Sequence, residues 1–120
     1  MAIGGDAAAQ LWNAASSGQL TMEPDAAREV AAAYLRFAAM CDEWAKDATH
    51  LKSIHGFGSL NSAVKLQDGF ATKAESAEQV LKQMATAARS MADGYLQAAN
   101  IVGEADQLNS DALTAIGQGA

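Results

Sequence analysis

Hydrophobic residues along this chain fall into two heptad runs separated by one glycine-bearing gap. In the first, Ala27, Val30, Tyr34, Phe37, Cys41, Trp44, Ala48 and Leu51 recur at alternating steps of three and four. Such a run is the seam of a helix that packs along a neighbour. Ala31, Ala38 and Ala45 flank it, small enough to let two backbones come close, while Arg28, Arg36, Asp42, Glu43 and Lys46 take the far side. Pro24 marks the start, with Asp25 and Glu29 close behind it. Proline suits a first helical turn, where a missing N–H costs nothing, and acidic side chains there complement the helix dipole. The spacing predicts a helix over 24–53, roughly 45 Å long.

The second run is longer. Phe70, Ala74, Ala77, Leu81, Met84, Ala88, Met91, Tyr95, Ala98, Val102, Ala105, Ala112 and Ile116 keep the same rhythm, interrupted at Asn109, and no proline intervenes. It predicts one helix over 60–114, roughly 80 Å long. Gly69, Gly94 and Gly103 lie inside it and mark places for bends or fraying, since each glycine costs about 1 kcal/mol against alanine. Between the runs, residues 54–59 contain Gly56, Phe57 and Gly58. Two glycines so close break a helix and permit positive φ, and Ser59 or Asn61 can cap the helix that follows. A connection this short makes its helices antiparallel neighbours. The expected fold is all-α, a helix-turn-helix hairpin over 21–120 with a frayed tail at 115–120. Before it, residues 1–20 carry Leu11, Trp12 and Ala15, which fit a short helix over 6–17 ended by Gly18.

The unequal lengths predict that the second helix overhangs the first by roughly twenty residues. Opposite its seam, Val80, Ala87, Ile101, Leu108 and Ala115 recur every seven residues. A helix that is apolar on two faces wants two neighbours. Val80, Ile101 and Leu108 are therefore the expected partner interface, with the short N-terminal helix covering part of the overhang. Val30, Tyr34, Phe37, Trp44, Leu81, Met84, Met91 and Tyr95 are the expected hairpin seam. Pairing with a second hairpin would make a four-helix bundle.

Composition points to long, close helix contacts or a second protein. Half of the residues are hydrophobic, yet aromatics are only 6 %, and alanine, which buries little area, supplies much of the rest. The net charge is −6, and all Lys and Arg lie between Arg28 and Arg89. The stretch beyond them carries Asp93, Glu104, Asp106 and Asp111. No basic face is available to replace phosphate counterions, which argues against nucleic acid. The acidic end reads first as a solvated helix face, with steering toward a basic protein surface as the alternative. Cys41 is the only cysteine, so no internal disulfide forms. The start lacks a basic region followed by an apolar one, and no window is long and apolar enough for a transmembrane span, so neither a cleavable signal peptide nor a membrane helix is expected.

The residues offer no chemistry of their own. His50 and His55 are five apart, not the i, i+4 spacing of a helical zinc pair. Gly56-Phe57-Gly58 lacks the strand and the third glycine of a dinucleotide loop. Met22, Met40, Met84 and Met91 read as gap-filling apolar residues. No catalytic residues, metal ligands or cofactor are expected, and an enzyme is not.

The hairpin pattern, the glycine turn with its aromatic and the lack of a signal peptide resemble the small helical hairpins of type VII (ESX) secretion systems. These are the WxG-type virulence factors and the related EspC-like excreted proteins of actinobacteria. Met22-Glu23-Pro24-Asp25-Ala26-Ala27-Arg28 is similar to the acidic-Pro-Asp-Ala-x-Arg helix start common there. His55-Gly56-Phe57-Gly58 resembles the His-Gly turn of the EspC-like group, with Phe57-Gly58 where a Trp-x-Gly would stand. Ala99 to Asp106 looks like the C-terminal signal region of that group, which ends in Tyr-x-x-x-Asp/Glu. Here Val102 stands in the tyrosine position and Asp106 in the acidic one. The resemblance covers roughly residues 22–112 and implies a protein exported without a cleavable signal, in a complex recognised by a secretion ATPase. The missing tyrosine implies a passenger or chaperone-like member of a pair, or a degenerate signal. The implied partner is another helical hairpin or the helical N-terminal region of a secreted effector or toxin. The other reading of the same heptads is a self-assembling coiled-coil homo-oligomer with no role in secretion.

Overall fold

A computed structural model of the chain describes residues 4–51, 58 and 60–119. The described residues are all-α. The elements are α1 (Gly5–Ser16), α2 (Pro24–Leu51), α3 (Asn61–Ala98), a single 3-10 turn (Val102–Glu104) and α4 (Ala105–Gly119). The expected end of the first helix at residues 52 and 53, and the turn residues Gly56 and Phe57, lie outside the described residues. Gly58 is exposed and takes φ +94°, the left-handed region that glycine enters freely.

The start of α2 is built as its sequence requires. The Glu23 carboxylate accepts hydrogen bonds from the backbone N–H groups of Asp25 and Ala26, both at 2.9 Å. These are two of the donors that a helix N-terminus leaves open, and Pro24 has no N–H to satisfy. The bonds hold the Glu23 carboxyl below its ordinary pKa.

The second predicted helix is two helices. α3 stops at Ala98, and the chain turns a corner through Asn100, which has φ +59°. Around that residue the Ile101 N–H donates to the Leu96 carbonyl at 2.9 Å and the Asn100 N–H to the Gln97 carbonyl at 3.0 Å. This is the paired-bond pattern that ends a helix on a left-handed residue, with Asn in the place glycine usually holds. The hydrophobic contact that accompanies it is present, since Ile101 packs against the cluster containing Leu96. The break therefore falls at neither Gly94 nor Gly103. After it α4 folds back, so no long overhang exists.

Gly94 has a different use. A Cβ placed there would lie 2.7 Å from Leu11 Cδ2, so the missing side chain lets α1 lie directly on α3. Gly4 beside Ala87 and Leu11 beside Gly94 fix α1 parallel to α3. Tyr34 stacked on Tyr95 and Asp42 paired with Arg89 fix α2 antiparallel to α3. α4 runs parallel to α2, with its Leu113 and Ile116 beside Met40 and Trp44. The spatial order is α1–α3–α2–α4, and α4 touches α3 little.

The result is a flat layer of 62 × 33 × 16 Å. Its radius of gyration is 18.5 Å, against about 14 Å for a compact domain of this length. A layer this thin has two broad faces and little interior. The core reflects that. It consists mainly of alanines, with Leu96 and Cys41 the largest fully buried side chains among the described residues. One cluster joins Ala31 and Leu35 of α2 to Ala92 and Leu96 of α3 and Ala112 of α4, and the other joins Ala38 and Cys41 to Ala85 and Ala88.

Candidate helix-docking face

The seam between α2 and α3 is rotated from the one the heptads predict. Ala27, Tyr34, Cys41 and Ala48 lie in it, as do Ala74, Leu81, Ala88 and Tyr95. The alternate positions differ. Ala31, Ala38 and Ala45 are buried where Val30, Phe37 and Trp44 were expected, and Glu78, Ala85 and Ala92 replace Ala77, Met84 and Met91. Phe37 and Trp44 are 38 % and 45 % exposed, while Val30, Met84 and Met91 are half-buried. The physical reason is size. Alanines at the contact line let the helix axes approach, and a Phe or Trp there would hold them apart.

The displaced large residues share one face. Val30, Phe37 and Trp44 each precede a seam alanine by one residue, and Ala77, Met84 and Met91 likewise precede Glu78, Ala85 and Ala92. One residue turns a side chain by about 100° around a helix. Because α2 and α3 run in opposite directions, that step carries both sets to the same side of the pair. Met40 and Val80 border them, 39 % and 43 % exposed. Asp47 and Lys73 are the charged residues that the helical spacing places at the border. From Val30 to Leu51 the face is about 30 Å long and two helices, about 20 Å, wide. That makes on the order of 600 Å², the upper end of the apolar patch a typical monomer exposes.

Neither flanking helix covers this face. α1 lies on the outer flank of α3 at Ala87 and Gly94, and α4 lies on α2 beside Leu35 and Ala39. A groove of about 660 Å³ opens between α2 and the end of α4, where Met40 and Trp44 meet Leu113 and Ile116. It joins the apolar face along the α2 edge.

The expected partner stripe on the back of the second helix divides. Val80 is exposed. Ile101 and Leu108 are half-buried and pack against the cluster around Leu35 and Leu96. The corner at Asn100 turns both inward, so they serve the chain's own core instead of an outer partner. Val102 packs against the same cluster, and Asp106 is exposed in the first turn of α4.

Charged contacts fix the corner. Arg28 donates to both carboxylate oxygens of Glu104, from Nε at 2.7 Å and Nη2 at 2.9 Å, and its Nη1 reaches Asp25 at 2.8 Å. The bonds from Arg28 hold the Glu104 carboxyl below its ordinary pKa. Asp93 moves the other way, raised first by burial and then by the nearby charge of Asp106. The Arg28–Glu104 pair, Asn100 and the small-residue seam escaped the sequence reading. The alanine rows at heptad spacing were the available signal for the seam.

Burial raises the Cys41 thiol, which keeps it protonated and a poor nucleophile. Among the described residues no group of His, Cys, Asp and Glu could hold a metal ion, and no helix is long and apolar enough to cross a membrane. Comparison with protein-family models, curated proteins and solved structures finds no match.

Proposed function

We propose that this chain is a non-enzymatic docking module that receives another helical protein on the face formed by Phe37, Met40, Trp44, Val80 and Met84. The supporting observation is that face itself, with large apolar side chains turned outward beside a seam of alanines. Covering it with a second pair of helices would remove on the order of 1,200 Å² of total surface from water, the lower bound of stable protein interfaces. The resemblance of the α2 start and of the Val102–Asp106 region to type VII secretion hairpins gives the pairing a purpose. The partner is a second helical hairpin or the helical N-terminal region of an exported effector, and the complex is the exported species. The chain then acts as the passenger or chaperone-like member, since valine stands in the signal tyrosine position.

The test is co-expression with helical proteins encoded by neighbouring genes, followed by co-purification. The expected result is a complex with one of them that the Phe37→Asp, Trp44→Asp double variant abolishes while the variant stays helical. A complex that survives both charges would contradict the assignment of the face. A complex that never leaves a host with an intact secretion apparatus would contradict the export reading alone.

A further inference from the structure

The berth of α4 on α2 has the properties of an exchangeable site, and we infer that a second copy of this chain can fill it. In the described fold α4 closes on its own α2 through Leu108 and Ala112, which meet Ala31 and Leu35. It touches α3 little, so its place depends on α2 and on the corner. The corner is a single left-handed asparagine and one 3-10 turn, without proline. Across it the apolar rhythm continues unbroken, from Tyr95 and Ala98 through Val102 and Ala105. The same apolar residues therefore suit a straight α3–α4 helix, at the helix-propensity cost of Gly103 inside it.

Straightening the corner changes no berth. α4 leaves its own α2 and lies on the α2 of a second copy, whose α4 returns the contact. Outside the hinge, where Ile101 and Val102 pack on the Leu35–Leu96 cluster in the bent form, each chain buries the same apolar surfaces in both arrangements, so the balance rests on the hinge. The bent hinge holds Asn100 at φ +59° and gains the Arg28–Glu104 bonds. The straight hinge exchanges these for continuous helical hydrogen bonds. A residue that disfavours the left-handed region tips the balance toward exchange, and glycine tips it back.

The experiment places spin labels at Gln83→Cys and Thr114→Cys, both exposed positions, in a Cys41→Ala background. In a straight helix these sites lie about 46 Å apart. In the bent fold they are far closer, since Leu113 and Lys82 line one pocket. Asn100→Ala is expected to give a dimer with the long separation within each chain. Mixing singly labelled Asn100→Ala chains should give a short separation between copies. Asn100→Gly should stay bent, with only the short intrachain distance. Asn100→Ala chains that keep the short intrachain distance, whether monomeric or paired through the apolar face, would overturn the inference. A long intrachain distance in a monomer would also overturn it. Pairing through the apolar face answers to Trp44→Asp and not to residue 100, so the two readings fail separately.

Discussion

Asp93 and Glu104 respond to acid in opposite directions. Glu104 is held as a carboxylate by Arg28, so its folded pKa lies below its ordinary value. Its contribution is present above the ordinary glutamate range and is lost as pH falls toward the folded value. Asp93 is half-buried and faces the charge of Asp106, so its folded pKa lies above its ordinary value of 3.8. Ionised Asp93 therefore costs stability at neutral pH, and the cost disappears as pH falls through the raised value and then past 3.8. Asp93→Asn should raise the denaturation midpoint at pH 7, and the gain over wild type should vanish near pH 3.5, as read by urea titrations at both values. An equal gain at both values would mean that charge is not the cause. These details lay beyond the sequence because they depend on the corner, and the corner depends on Asn100. An asparagine has only a weak preference for the left-handed region, while Gly94 and Gly103 were the more obvious breakers. Gly94 turned out to admit Leu11, which no single stretch of sequence announces.

At the scale of elements, α1, α2 and the start of α3 were legible, while the break before α4 and the exact phase of the seam were not. Pro24, with the acidic residues around it, located the start of α2 to the residue. The three-four rhythm marked α2 and α3 as amphipathic, yet it fits two adjacent stripes equally well. Large residues marked one stripe and alanines the other, and weighting by hydrophobicity favours the large ones. Close packing favours the small ones at the contact line, and that preference won because the helices have almost nothing else to bury. Neighbouring substitutions separate the two phases. Ala38 is fully buried, so Ala38→Leu should destabilise by about 1–3 kcal/mol through overpacking. Phe37→Leu keeps an apolar side chain at a position 38 % exposed and off the contact line, and should cost no more than about 0.5 kcal/mol. Thermal denaturation of the two variants checks the order, and the reverse order would restore the large-residue seam.

For the whole molecule, the decisive fact is its shape. Four helices in the order α1–α3–α2–α4 make a layer 16 Å thick, and a layer cannot wrap its own apolar residues. α1 shields the outer flank of α3 and α4 shields the upper side of α2, but the side carrying Phe37, Trp44 and Met84 has no covering helix among the described residues. Sequence patterning read the second helix as wanting a second neighbour. It placed the need on Ile101 and Leu108, which the bent α4 satisfies internally. The open face lies instead on the stripe first read as the seam. Composition had already pointed to this economy, with few aromatics and many alanines. The large side chains are too few to fill a core and are placed outside it.

Trp44 reports on that face from its α2 edge. In a Trp12→Phe variant it is the only tryptophan, and acrylamide quenching reads its access to solvent. Trp44, 45 % exposed, should be quenched in the dilute chain and more protected once the helical partner, or a second copy at high concentration, is bound. A Trp44 already protected in the dilute monomer, or quenched equally in the complex, would contradict the docking face.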